Sequence, residues 1–267
     1  MKRIVSNGRW RFGLVATILS VFVALHCSAL SGAGEPAAAA VKVSEFAPAE
    51  DLINQIKYFI DRLDQSLASK DAYDDAAQSR VAKEADTVAV LALGLSLYDG
   101  KHPLSGSTGH LLAAAEALSK AGADYAAARK ALDELKAAAA GKTTGPDATT
   151  PGWEPIAPLG LLMKEVPIVQ SSMKRSLQSE RFKTQAKQAA ATAATLAMIA
   201  QAVAADDSAF KQPEQRQKWR DECIEMRDAA GAVNRAVHAG DPEAAQKAVG
   251  RLSQSCVGCH NDFRRAH

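Results

Sequence analysis

From residue 50 onward, apolar residues recur every three or four positions, the period of an amphipathic helix. Leu52, Ile56, Phe59, Leu63 and Leu67 make a first stripe, and Val81, Ala85, Val88, Ala92 and Leu95 a second. Gly100 to Gly109 reads as a turn-rich loop. Leu111 to Lys120 predicts a third helix, and Tyr125, Ala128, Leu132 and Leu135 mark a fourth. Residues 141–156 gather Gly, Pro, Thr and Asp, the composition of a linker. A second set of four follows. Leu159, Leu162, Val166, Val169, Met173 and Leu177 give its first helix, and Gln185 to Ala205 an Ala-rich second. Trp219, Cys223, Met226, Ala230, Val233 and Val237 alternate at four and three, a heptad stripe. Asp241-Pro242 supplies an N-cap and a proline at the first helical position. Ala245, Val249, Leu252, Cys256, Cys259 and Phe263 continue the alternation.

The two sets align with each other. Residues 51–67 match 161–177 at an offset of 110, with Leu52/Leu162, Ser66/Ser176 and Leu67/Leu177 identical. Thr87–Ala92 matches Thr192–Ala197 at 105, and Leu132–Leu135 meets Val249–Leu252 at 117. Ala-rich helices align easily by chance, but the shared order of elements favours duplication. The expected fold is all-α, two tandem antiparallel four-helix bundles after a signal peptide.

The N-terminus reads as an address. Lys2, Arg3, Arg9 and Arg11 stand without an acid, Phe12 to Leu25 is almost wholly apolar, and small residues follow around Ala29. That is the order of a cleaved secretory signal, here residues 1–29. The apolar run is short for a membrane span, and an uncleaved anchor is the alternative. His26 argues against Cys27 as a lipoprotein cysteine. Residues 30–48 read as a flexible lead.

Composition narrows the function classes. Lys+Arg 32 against Asp+Glu 30 leaves no basic excess for a nucleic-acid binder. Four cysteines are too few for a disulfide scaffold at this length. No nucleophile with a paired base, paired carboxylates or phosphate loop occurs at meaningful spacing, so an electron carrier is expected before an enzyme.

Cys256-Val257-Gly258-Cys259-His260 is C-x-x-C-H, the attachment signature of c-type haem. Two thiols must reach the two vinyl groups on one porphyrin edge, and the adjacent imidazole must reach the iron. On a helix these positions are i, i+3 and i+4 and share one face, which is also the apolar stripe. A redox disulfide between Cys256 and Cys259 would sit at a helix start after a strand, and no strand precedes them. A zinc site lacks further ligands at a usual spacing. Cys223 reads as a buried, inert thiol.

Residues from about 157 to 264 resemble cytochrome c′ and its low-spin relatives. The motif lies on the last helix of a four-helix bundle, near the C-terminus. Ala239-Gly240-Asp241 precede that helix, Cys259-His260 are followed by Phe263-Arg264, and Trp219 enters the third helix. The resemblance implies one covalent haem c bound at Cys256 and Cys259, with His260 as the proximal iron ligand and Arg264 near it. Met163 falls where low-spin relatives place an axial methionine and is the expected sixth ligand. The alternative is a core residue, and Pro167 should kink that helix or start it late. Met173, Met198 and Met226 are expected in the core. The family's early Arg-Gln pair is absent, the matching stretch reading Leu159 to Lys164.

At the offset of 117, Ala139, Lys142 and Thr143 stand opposite Cys256, Cys259 and His260. Residues 49–140 are therefore expected to form a degenerate bundle without haem, and 157–267 the haem-binding bundle. His102 and His110, in the loop of the first, are expected to be solvated. The resemblance implies that the first bundle packs as the partner subunit does in dimers of the family, an intramolecular pseudo-dimer. The functional expectation is one-electron transfer in the periplasm, with an unidentified redox partner protein. A five-coordinate haem binding NO or CO, and a helical binding module with structural haem, are the rivals.

Overall fold

The helices form where their apolar stripes mark them. A computed structural model describes residues 41–74, 76–143, 149 and 151–264, without the side chains of 76–79. Residues 1–29, expected as a signal peptide, lie outside the described residues. Among the described residues there are nine α-helices and no strand. They are α1 Ala49–Ser66, α2 Lys70–Tyr73, α3 Ala76–Ser96, α4 Thr108–Lys120, α5 Tyr125–Ala139, α6 Leu159–Ser176, α7 Ala186–Val203, α8 Arg216–His238 and α9 Pro242–Phe263. The all-α expectation holds. The short α2 has no stripe to announce it. Ser69 Oγ caps it by accepting the Ala72 N–H, and Tyr73 Oη donates to the Gly122 carbonyl at 2.6 Å.

Two connections show how sequence sets the chain's turns. α8 ends in a left-handed Gly240, φ +69°. Gly240 N–H bonds the Val237 carbonyl and Asp241 N–H the Ala236 carbonyl, each at 3.0 Å, a Schellman closure that favours glycine. Asp241 Oδ1 then accepts the Ala244 N–H at 2.9 Å and Pro242 opens α9. α5 ends the same way at Gly141, φ +67°, where Lys142 N–H reaches the Ala137 carbonyl.

Within each set, consecutive long helices pack on one another, α1–α3–α4–α5 and α6–α7–α8–α9. Between the sets, α1 lies on α7, α3 on α6, and α3 on α7. α7 is buried all round from Ala189 to Val203, and α3 likewise from Glu84 to Leu95. A helix apolar on every side is a core helix, and alanine lets four helices, α1, α3, α6 and α8, share α7 as a neighbour at short range. Gly94 of α3 shows how tight this is: a methyl there would land 2.3 Å from Met198 Cε of α7.

Residues 41–264 therefore share one hydrophobic core rather than two. Polar contacts pin the sets together. Asp51 Oδ2 of α1 accepts from Asn234 Nδ2 at 2.6 Å and pairs with His238 Nε2 at 2.7 Å on α8. Lys83 of α3 meets Glu165 of α6 at 3.3 Å. Residues 41–48, expected as the end of a flexible lead, are packed instead. Val43, Phe46 and Ala47 are buried, and the Arg227 guanidinium lies 5.1 Å from the Phe46 ring centre. Their apolar side chains are too few to show a period, so composition alone concealed them. No helix among the described residues is long and apolar enough to cross a membrane.

Candidate haem site

α9 runs unbroken to Phe263, so Cys256, Cys259 and His260 stand on one helical face. They face a cavity of about 50 Å³ between α6, α8, α9 and the end of α7. Met163, Val166 and Pro167 line it from α6, Val203 from α7, and Trp219, Glu222, Cys223 and Met226 from α8. The sequence-predicted Cys256, Cys259, His260 and Met163 are thus brought to one place. Arg264 is not among the lining residues. It is exposed just beyond α9, where its backbone N–H donates to the His260 carbonyl at 3.1 Å.

Three anchors hold the last turns of α9 in register on α8. Trp219 Nε1 donates to the Val203 carbonyl at 2.9 Å, and its ring meets Phe263 edge-on with centres 5.2 Å apart. Lys218 pairs with Asp262 at 2.7 Å. Arg251 reaches Glu225 through two bonds of 2.6 Å, the bidentate geometry that fixes orientation.

The residues fit a porphyrin. All three described cysteines are free. Burial pushes the Cys256 thiol up, and burial reinforced by Glu222 pushes Cys259 up to about 11. Burial in the apolar wall thus favours the protonated thiol at both positions. The wall carries one imidazole, His260, and two thioethers, Met163 and Met226, donor types that an iron porphyrin takes as ligands. A porphyrin is larger than this void, so the surrounding helices would have to part to hold one. α6 is the weakest wall, because Pro167 has no N–H to give the Met163 carbonyl.

Several expectations are corrected here. α6 begins at Leu159 and continues past Pro167, so the proline neither starts it late nor ends it; packing on α7 and α3 holds both sides. Met173 and Met198 are core residues, but Met226 lines the cavity. Cys223 is buried as expected, its thiol pushed far above the ordinary range by desolvation, yet it too is part of the cavity wall. His110 is in the first turn of α4, not in a loop. His102 Nε2 contacts the Leu95 carbonyl at 2.8 Å, so it is held by its own half of the chain. Neither histidine lines the cavity. Among the described residues there is no group of three or more His, Cys, Asp or Glu side chains that could hold a bare metal ion.

Sequence reasoning missed Glu222, Val203 and Met226 as lining residues. The signal was present in the α8–α9 turn. Residues equidistant from Gly240 face each other across a tight antiparallel turn, which sets Glu222 opposite Gly258.

No curated protein and no solved structure was found to match the chain. The model of the family described as Cytochrome C' matches residues 213–264. That segment is α8 with its lead-in and α9, the two helices that carry most of the cavity wall. Through this C-terminal helix pair, residues 213–264, the chain is similar to the cytochrome c′ family of haem-binding c-type cytochromes.

Proposed function

We propose that the chain is an exported mono-haem c-type cytochrome that carries single electrons in the periplasm. One observation carries the reading: both motif thiols, the His260 imidazole and the Met163 thioether line a single apolar cavity. The bound iron porphyrin supplies a one-electron ferric/ferrous couple. Cys256 and Cys259 hold the group by thioether bonds. His260 would ligate the iron from α9, and Met163 would supply a second ligand from α6. Histidine with methionine raises a reduction potential, and burial among apolar side chains acts in the same direction. Arg264 adds a positive charge just beyond the proximal helix. Residues 1–29 serve as the signal that sends the chain to the compartment where such haem is attached.

The first four long helices act as a haem-less partner. α1 on α7 and α3 on α6 are reciprocal pairings of first and second helices, and α3 on α7 pairs second with second. That pattern supports a duplicated unit folded on itself as a pseudo-dimer.

A second reading has one observation in its favour. Pro167 leaves the Met163 carbonyl without its helical N–H, and a Met163 displaced from the iron would leave an open site for NO or CO. Optical spectra of the matured protein, oxidised and reduced, with and without CO, test both. A sharp low-spin reduced spectrum indifferent to CO supports electron transfer. A broad spectrum that shifts with CO favours gas binding. Absence of haem bands after maturation overturns both.

A further inference from the structure

The seam between α8 and α9 holds one charge that the fold leaves without an opposite. Lys218 meets Asp262, and Arg251 grips Glu225. Between these pairs stands Glu222, and opposite it is not a cation but Gly258 of the C-x-x-C-H motif. A methyl built on Gly258 would come within 3.4 Å of Glu222 Oε2. Glu222 makes no ion pair or hydrogen bond among the described residues. It is half-buried, and it is the one carboxylate that lines the apolar cavity shared by Cys256, Cys259 and His260.

An unpaired carboxylate at an apolar wall loses hydration without compensation. The wall offers one strong donor, the ring of His260. An iron-ligating imidazole keeps a second ring N–H that needs an acceptor, and a carboxylate in that place fixes the tautomer and makes the ligand more basic. Glu222 and the exposed His260 line the same cavity from facing helices whose register is locked on either side.

We propose that Glu222 is the positioning residue for His260: its carboxylate accepts the ring N–H that points away from the iron. The inference rests on the haem reading above. Two consequences follow from charge. A negative group beside the proximal ligand stabilises the ferric state, and the ring cannot rotate freely about its side-chain bonds.

The test uses the full haem-loaded protein and its Glu222→Gln and Glu222→Asp variants. Glu222→Gln keeps the shape and removes the charge. At a fixed poise it is expected to raise the ferrous-to-ferric ratio at least tenfold, which for one electron is 59 mV. Glu222→Asp keeps the charge and is expected to retain most of the parent's potential. A readout on the parent alone guards against a variant that fails to fold. In proton NMR of the ferric protein, the His260 ring N–H is expected to exchange slowly with deuterium oxide. Equal shifts in both variants, an unchanged potential in Glu222→Gln at full haem content, or rapid exchange of the parent's ring proton would each overturn the proposal. A parent without haem would instead overturn the reading beneath it.

Discussion

The ends of α5 and α9 are the two places where the halves of this molecule part company. At the offset of 117, Gly141 stands opposite Gly258. Gly141 takes a positive φ and closes α5 just after Ala139. Gly258 is an interior residue of α9, which continues through His260 to Phe263. The same amino acid therefore stops one helix and is passed by the other. What differs is the company. α9 has Trp219 against Phe263 and Lys218 against Asp262 to hold its last turns on α8. The motif needs those turns, because only a continuous helix puts two thiols and an imidazole on one face. The first half thus lacks both the motif and the helical turns that would carry it.

The largest effect that can break this comparison is haem content. One haem per chain is expected from the pyridine haemochrome assay. Replacing Cys256 and Cys259 by serine should abolish haem that survives denaturation, as read by haem stain on a denaturing gel. A second equivalent per chain would show that the first half keeps a site its sequence has lost.

Next in size is the distal side. Met163→Ala removes the thioether while leaving His260 and the thiols in place. The reduced protein should change from indifferent to CO to strongly responsive, and its potential should fall. A Met163→Ala spectrum identical to the parent's would assign Met163 to packing and sharpen the contrast with the buried Met173 ten residues on.

Much of this architecture was legible in advance, and the residues explain why. The long helices announced themselves because each buries one stripe of large apolar side chains; Leu52, Ile56, Phe59 and Leu63 are all buried on α1. Cys256, Cys259 and His260 were legible because the spacing is itself the chemistry. Met163 came from its place in a resemblance, and it lines the same cavity as the motif. What stayed hidden has local causes. Residues 41–48 pack through Val43, Phe46 and Ala47 in a single 3-10 turn, too short for periodicity. α3 and α7 are buried on all sides, so their stripes showed one neighbour where there are several. The merging of two expected bundles into one core depends on pairs such as Asp51 with Asn234, far apart in sequence.

That pair gives the third prediction. Asp51 is buried, while Leu161, its counterpart at the offset of 110, is half-exposed. Asp51→Ala leaves one Asn234 donor and the His238 ring without their acceptor at the contact between the sets. A loss of about 1–3 kcal/mol is expected for an orphaned buried donor, read by denaturant unfolding. The loss should come in a single transition, since both sets share one core. Two separated transitions in the variant would mean that the sets are independent domains held only by that contact.

The smallest effect concerns a charge that one half buries and the other does not. Asp86 on α3 is buried, and its counterpart at the offset of 105 is Ala191 on α7, also buried. Desolvation pushes the Asp86 carboxyl above its ordinary range, against the opposing pull of Ser119 and Lys120. A carboxyl raised in the folded state keeps its proton through a window in which the unfolded chain has already lost it. Stability therefore falls as pH rises from the ordinary carboxylate range to Asp86's raised value, by about 1.4 kcal/mol for each pH unit of that window. Asp86→Asn has no proton to lose. Compared with the parent in acid, it should gain relative stability as pH rises, then run parallel above the window. Urea denaturation midpoints between pH 4 and pH 8 read this directly. Parallel profiles throughout would mean that Ser119 and Lys120 already compensate the buried charge, and that α3 carries Asp86 at no more cost than α7 carries Ala191.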